Sequence, residues 1–229
     1  MWPMHSIGPY EFTEQDARRT VRNLDAIWWL YQERRDGSVL GPLYPQLTGD
    51  LFTDLERVWT AWTAAGPALR AAGQLPGRAE GTVVQLNVSG GGVPKRPVDS
   101  FEVGWRGASG DRQGTRVHHG RPWQALCIWN IEGIDELRAA GHPIASGLAG
   151  ENITVEGLPW DDVRAGVRLE IGTVLCEVSA YALPCSQNAA WFVGGDFEAM
   201  HHERGSSRVY ATVLRPGTVK VGDSAVLEP

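Results

Sequence analysis

Ala17, Val21, Leu24, Trp28 and Tyr31 recur at intervals of three and four residues, so an amphipathic helix is expected early in the chain, with Thr13 and Asp16 as a capping signal at its start. A loop rich in glycine and proline, "DGSVLGPLYPQLTGD", follows it. Leu51, Leu55, Val58 and Trp62 then share one face of a second helical pattern, "LFTDLERVWTAWTAAGPALRAAG", and "GQLPGRAEG" reads as a linker. Residues 1 to about 75 are therefore expected to be helical. From Gly81 the texture changes to short β-branched runs bounded by Gly, Pro, Asp or Asn: "GTVVQLNVS", "ALCIW", "ENITVEG", "VRLEIGTVLCEVSA", "SRVYATVL" and "TVKVG". Only "IEGIDELRAAG" and "DFEAMHHER" look helical among them. A parallel α/β sheet needs a helix between successive strands, so the pattern predicts a curved sheet or small barrel instead.

Composition narrows the partners. The chain has 229 residues, a net charge of -6 and a pI near 5.5, and it shows no basic patch of the kind that binds nucleic acid or a membrane surface. No stretch approaches the length of a membrane-spanning helix, and the first residues lack the features of a signal peptide, so the cytoplasm is the expected compartment. A small molecule or another protein is the expected partner. The chain has ten tryptophans, but Trp28, Trp29, Trp59 and Trp62 lie at helical core spacing and are read as packing residues rather than a ligand platform. Cys127, Cys176 and Cys185 form no C-x-x-C pair, so neither a disulfide framework nor a structural zinc site is encoded.

Four stretches carry candidate chemistry. In "SGGGVPKRPV", three glycines precede Lys95 and Arg96, which fits either an anion-binding loop or a hairpin with solvated basic residues. In "GDRQGTRVHHGRPWQALCIW", His118 and His119 point to opposite faces if extended, so one of them faces a site or both serve the turn. In "GHPIASGLAGENITVEGL", the glycines let backbone approach a ligand closely while Asn152 offers a donor and an acceptor; turn chemistry is the alternative. Cys127 and Cys176 sit inside alternating apolar strands and read as small hydrophobes. Cys185 follows Pro184 at a strand end and precedes Ser186, Gln187 and Asn188, so its sulfur is the candidate for an exposed, reactive thiol.

From about Glu80 to Pro229 these stretches occur in an order that resembles the MOSC domain, the carboxyl-terminal module of molybdenum cofactor sulfurases, also found as small bacterial proteins. The resemblance rests on "NVSGGGVPKRPV", "GDRQGTRVHHGRPWQAL", "GHPIASGLAGENITVEGLPWDDVRAGVRLEIGTVLCEVS", "PCSQNAAWFVGGDF" and "SRVYATVLRPGTVKVGDSAVL". It implies a mostly β fold, a MOSC-type β-barrel at residues 79–229 behind an N-terminal helical extension at residues 1–78. It also implies the molybdenum cofactor in its molybdopterin form, with Cys185 as molybdenum ligand or sulfur carrier, a role that suits a soft thiolate. Lys95, Arg96, His119, Arg121 and Asn152 are the implied cofactor-binding residues. The family's "H-G-G-P" reads "HHGRP" here, so Arg121 replaces a glycine and either adds a phosphate contact or narrows the pocket. Gly150 stands where the eukaryotic reductase branch has an arginine, so anion binding by that route is not expected. The chain has no room for a pyridoxal-phosphate desulfurase domain, so pyridoxal phosphate is not expected.

Three functions follow. The first is a reductase of N-hydroxylated small molecules, for which Cys185 holds the metal. With no flavin, haem or iron–sulfur motif in the sequence, it would depend on an electron-donor protein. The second is a carrier that transfers sulfur or cofactor through Cys185, served by a cofactor-delivery protein. The third is a non-catalytic binding module. A homo-oligomer is compatible with each.

Overall fold

Residues 4–13 form a hairpin rather than the start of a helix. Strand β1 (Met4–Ile7) pairs antiparallel with β2 (Tyr10–Thr13) across Gly8 and Pro9, and Gly8 takes φ 58°, as a tight two-residue turn led by glycine requires. The computed structural model describes residues 4–24, 39–114, 119–205 and 207–229, so Trp28, Trp29, Tyr31 and His118 lie outside the described residues. Helix α1 (Glu14–Arg22) starts at the expected cap: Asp16 N donates to Thr13 Oγ1 at 3.1 Å and Thr13 N donates to Asp16 Oδ2 at 2.9 Å. Helix α2 (Leu51–Ala71) is capped by Asp50, whose carboxylate accepts from Thr53 N at 2.9 Å.

The apolar face of α2 behaves as its spacing predicts. Leu55, Val58, Trp59, Trp62 and Leu69 are buried in one cluster with Trp123, Cys127, Ala180 and Tyr210 from the β region. The helix is thus packed on the barrel.

The β region holds strands β3 (Ala79–Val88), β4 (Arg96–Val98), β5 (Ser100–Gly104), β6 (Gly107–Ala108), β7 (Leu126–Asn130), β8 (Ile153–Glu156), β9 (Arg168–Ile171), β10 (Val174–Tyr181), β11 (Val209–Arg215), β12 (Gly217–Lys220) and β13 (Ser224–Leu227). Seven of them close into a barrel in the order β13-β9-β10-β11-β7-β8-β3, because β13 also pairs with β3; β4 adds to the outer edge of β3. Every barrel pairing is antiparallel except β7 with β8, the two strands joined through helix α3 (Ile131–Ala139). A three-stranded sheet, β12-β5-β6, stands beside the barrel. The interior is filled by inward residues such as Leu86, Ile128, Ile153, Leu169, Cys176 and Val209.

Two sequence expectations change here. "DFEAMHHER" is not one helix: 3-10 turns at Phe197–Met200 and His202–Arg204 are separated by an extended His201 (ψ 142°), and Gly205 at φ 95° ends the second. The strands β4, β5, β6 and β13 were not among the expected ones. No helix among the described residues is long and apolar enough to cross a membrane.

Candidate functional site

The barrel interior is apolar, so the polar residues gather on its outside. In β11, Val209, Ala211 and Val213 point into the core while Tyr210 takes the other face, with Arg208 just before the strand; in β7, Leu126 and Ile128 point in and Cys127 points out. The strand registers place these outward residues side by side. Asn87 N donates to Asn152 O at 2.8 Å, Asn152 N donates to Cys127 O at 2.7 Å, Cys127 is paired with Tyr210, and Tyr210 with Ala180. An irregularity between Val178 and Ala180 in β10 turns Ala180 and Ala182 outward next to this row.

Asn152 sits at the centre of a polar network. Its Oδ1 accepts from Cys127 N at 3.1 Å and its Nδ2 donates to Asp111 Oδ2 at 3.0 Å. Lys95 Nζ reaches the same Asp111 oxygen at 2.7 Å, and Ser89 N donates to Asp111 Oδ1 at 2.8 Å. The Lys95 side chain is 11% exposed and that of Asp111 is 2% exposed, so this is a buried ion pair. Arg96 is brought elsewhere: it is exposed on β4, opposite Val88. Beside the network, Gly147 N donates to Glu151 Oε1, and Thr154 Oγ1 lies 3.4 Å from the same oxygen. Burial raises the Glu151 carboxyl above the usual range, against the pull of the backbone hydrogen bonds from Gly147 and Glu151 and of Arg208 and Lys95. Gly147, at φ 86°, has no room for a side chain, because a Cβ there would stand 2.8 Å from Lys95 O.

Cys185 borders this row from the β10 side. It is half-buried, follows Pro184, and caps the 3-10 turn Ser186–Trp191, whose Asn188 N donates to Cys185 O at 2.9 Å. Arg208 ties the neighbouring segments together: Nη1 donates to Ala149 O, Nη2 to Leu183 O at 3.5 Å, and Ala182 N donates to Arg208 O at 2.8 Å. His119 Nδ1 and Tyr210 Oη are hydrogen-bonded at 3.0 Å. Arg121 Nη1 donates to Gln124 Oε1 at 2.8 Å and its guanidinium lies 5.3 Å from the centre of the Trp123 ring. Tyr210 feels all of these groups. Burial pushes its phenol up, the Cys127 and Cys185 sulfurs push the same way, and Arg208 and Arg121 oppose them.

The other two thiols differ. Burial raises Cys127 to about 11 and Cys176 to about 12, so both stay protonated. Of the six residues singled out in the sequence, His119, Arg121, Asn152 and Cys185 border one outer face, with Lys95 at its edge and Arg96 apart. Arg208, Tyr210, Asp111 and Asn87 belong to the same face and were not singled out. Arg208 had one visible signal, a charge placed directly before an apolar strand.

The face holds polar atoms that nothing among the described residues satisfies: Asn87 Nδ2, Glu151 Oε2, Arg208 Nε, Trp123 Nε1 and Asn188 Oδ1 are buried without hydrogen-bond partners. Donors, an acceptor, a guanidinium and a soft sulfur within one face fit a ligand that combines an anionic group, a polar heterocycle and a thiophilic metal. Two other features carry polar or ligating groups. An open cleft of about 930 Å³ is lined by Glu102, Arg106, Arg112 and Thr218, and shares Asp111 with the network. His201, His202 and Glu203 bring potential ligand atoms within 4.8 Å of one another, with His202 stacked on Tyr181 at 4.6 Å.

The sequence model of the MOSC domain matches residues 115–226. The chain carries a MOSC domain. The family is associated with molybdenum-cofactor binding. The uncharacterized protein YflK of Bacillus subtilis is 29% identical over 133 residues, which cover 57% of this chain and 60% of that relative, so the match spans less than two thirds of the relative's length. Among solved structures, the YuaD protein of Bacillus subtilis superposes with a TM-score of 0.55 at 19% identity, over 66% of this chain and 97% of that one. YiiM from Geobacillus stearothermophilus gives 0.50 at 27% identity, over 64% and 74%. The MOSC domain and its barrel are thus as the sequence implied.

Proposed function

We propose that this MOSC protein binds the molybdenum cofactor with Cys185 as metal ligand and reduces N-hydroxylated small molecules. The observation that carries the reading is the half-buried Cys185 beside a buried face whose polar atoms lack partners, while the chain's other two thiols are sealed in and held protonated. When bound, the cofactor supplies two-electron redox chemistry at its metal. The overall reaction is R–NH–OH + 2e⁻ + 2H⁺ → R–NH₂ + H₂O, with the electrons drawn from a donor protein. Residues of the chain divide the remaining work. Cys185 offers its sulfur, and Asn152, held by Asp111 and through it by Lys95, is a fixed amide on the same face. Arg121 adds positive charge, and the His119–Tyr210 pair can hold a proton for the departing oxygen.

A second reading has its own support. Leu183 and Val193 on either side of Cys185 are 64% and 61% exposed, an apolar rim suited to a client protein that takes sulfur or cofactor from Cys185. Molybdenum and pterin analysis of freshly purified protein, from a host that makes the cofactor, tests both. The parent should carry molybdenum and reduce N-hydroxylated substrates with an artificial donor, and Cys185→Ser should keep its fold but lose both. Retained metal in Cys185→Ser would remove that residue as ligand. Loading without turnover would favour the carrier.

A further inference from the structure

Arg208 carries a charge that its surroundings do not balance. The residue is only 6% exposed, and among the described residues no carboxylate oxygen lies within 4.0 Å of its nitrogens. Its partners are the neutral carbonyls of Ala149 and Leu183, and its Nε is buried with no partner. The other charges on this face do not supply the missing anion. Asp111 is already paired with Lys95 at 2.7 Å, and Glu151, whose Oε1 is taken by Gly147 N and Thr154 Oγ1, stands near enough to feel the Arg208 charge but makes no ion pair with it. A buried cation without a counter-charge is costly, so its retention calls for an anion that arrives with a ligand.

The surroundings favour one kind of anion. Arg208 bridges two segments, the glycine turn with Gly147 at φ 86° and Gly150 at φ 93°, and the stretch from Leu183 to Cys185. Glycines keep the turn's backbone free of side chains, and a planar guanidinium grips tetrahedral oxyanions through paired N–H groups. We propose that Arg208 is the recognition residue for a phosphate-class oxyanion held between the Gly147–Gly150 turn and the Leu183–Cys185 segment. The oxyanion is either the phosphate of the bound cofactor, in which case the proposal rests on the reading above, or a free phosphate-type ligand, in which case it stands alone.

The full chain serves for the test, as the parent, Arg208→Met, which keeps length without charge, and Arg208→Lys, which keeps charge without the fork. One arm uses cofactor-free protein and compares melting temperatures with and without millimolar inorganic phosphate. The other measures molybdenum and pterin retained after expression in a cofactor-making host. Losing a charge-assisted contact should weaken binding by about tenfold to a hundredfold in Arg208→Met, with Arg208→Lys between the two. A phosphate-dependent rise in the parent that Arg208→Met lacks establishes a free oxyanion, even if the parent carries no molybdenum. Loss of pterin from Arg208→Met, with no phosphate effect on the parent, assigns the cofactor's own phosphate. If Arg208→Met does not fold, the same comparisons are read from Arg208→Lys. Equal phosphate response and equal pterin content in parent and folded variant overturn the proposal, as does a parent that responds to neither.

Discussion

Glu177 offers a test of how the amino-terminal helices are joined to the barrel. It lies on β10 beneath α2, so close that a Cβ on Gly66 would stand 2.7 Å from its Oε2. Arg168 approaches it at 3.6 Å across the β9–β10 pair, while Arg70 of α2 is held by Glu228 at 2.9 Å. Tyr10, whose hydroxyl donates to Val213 O at 2.7 Å, and Cys176, which stays protonated, are further titratable neighbours. Burial raises the Glu177 carboxyl from 4.5 to about 7, with Glu228 adding to the rise and Arg168 and Arg70 opposing it. The folded protein therefore binds this proton more tightly than the unfolded chain does. Its contribution to stability is full below the unfolded value and is lost as pH rises through about 7. The shift sets a ceiling of about 3 kcal/mol on that loss, at roughly 1.4 kcal/mol for each pH unit. Glu177→Gln copies the protonated form and removes the titration. Parent and variant should melt together near pH 4, and at pH 8 the variant should be the more stable by about 2 kcal/mol, roughly 4–8 °C for a chain of this size. A melting-temperature difference that does not change between those two conditions, or a variant that is the less stable at the higher pH, would refute the reasoning.

Two further predictions concern the cover and the loops of the site. Gly147→Ala forces a side chain against Lys95 O at a positive φ, so it should cost about 1–3 kcal/mol in chemical denaturation and lower the retained molybdenum; an unchanged midpoint and metal content would show that the turn is not fixed. A chain cut to residues 78–229 should aggregate, because it uncovers Trp123 and Tyr210, which are 6% and 8% exposed in the intact protein; a soluble, monomeric truncation with the parent's melting temperature would remove the packing role of α2.

The sequence was most legible where one period ran for many residues. Leu55, Val58 and Trp62 announced the buried side of α2, and Leu126 with Ile128 announced β7, because one buried face imposes one spacing. The hairpin at Met4–Thr13 was hidden because each strand has four residues, too few to separate a period of two from one of 3.6. Pro97 and the solvent-facing Ser100, Glu102 and Gly104 obscured β4 and β5 in the same way. In the site, Cys185 stood out because a proline and polar residues flank it. Asp111 and Arg208 did not. Each draws its meaning from a partner far along the chain, 41 residues away for Asp111 and Asn152 and 59 for Arg208 and Ala149, and only the barrel's registers bring those partners together.

The placement of the site follows from the size of the barrel. A closed barrel of seven strands has an interior wide enough for its own side chains and little else, and here it is filled by residues such as Leu86, Ile128 and Val209. The interior thus leaves no room for a ligand, and the polar residues stand on the outer face, where they would ordinarily be solvated. What makes Asn152, Arg208 and Tyr210 buried is the cover laid over them: the glycine turn, the Cys185 segment and the edge of the amino-terminal extension. The extension's aromatic residues reach that far in steps, from Trp59 to Trp62 at 5.9 Å, to Trp123 at 5.5 Å, and to Tyr210 at 6.4 Å between ring centres. Tyr210 then meets His119. Helix α2 thus does more than shield an apolar patch. Through Trp62 and Trp123 it excludes water from one side of the face that Cys185 borders from the other, and a dry face is what gives the Arg208 charge and the Lys95–Asp111 pair their strength.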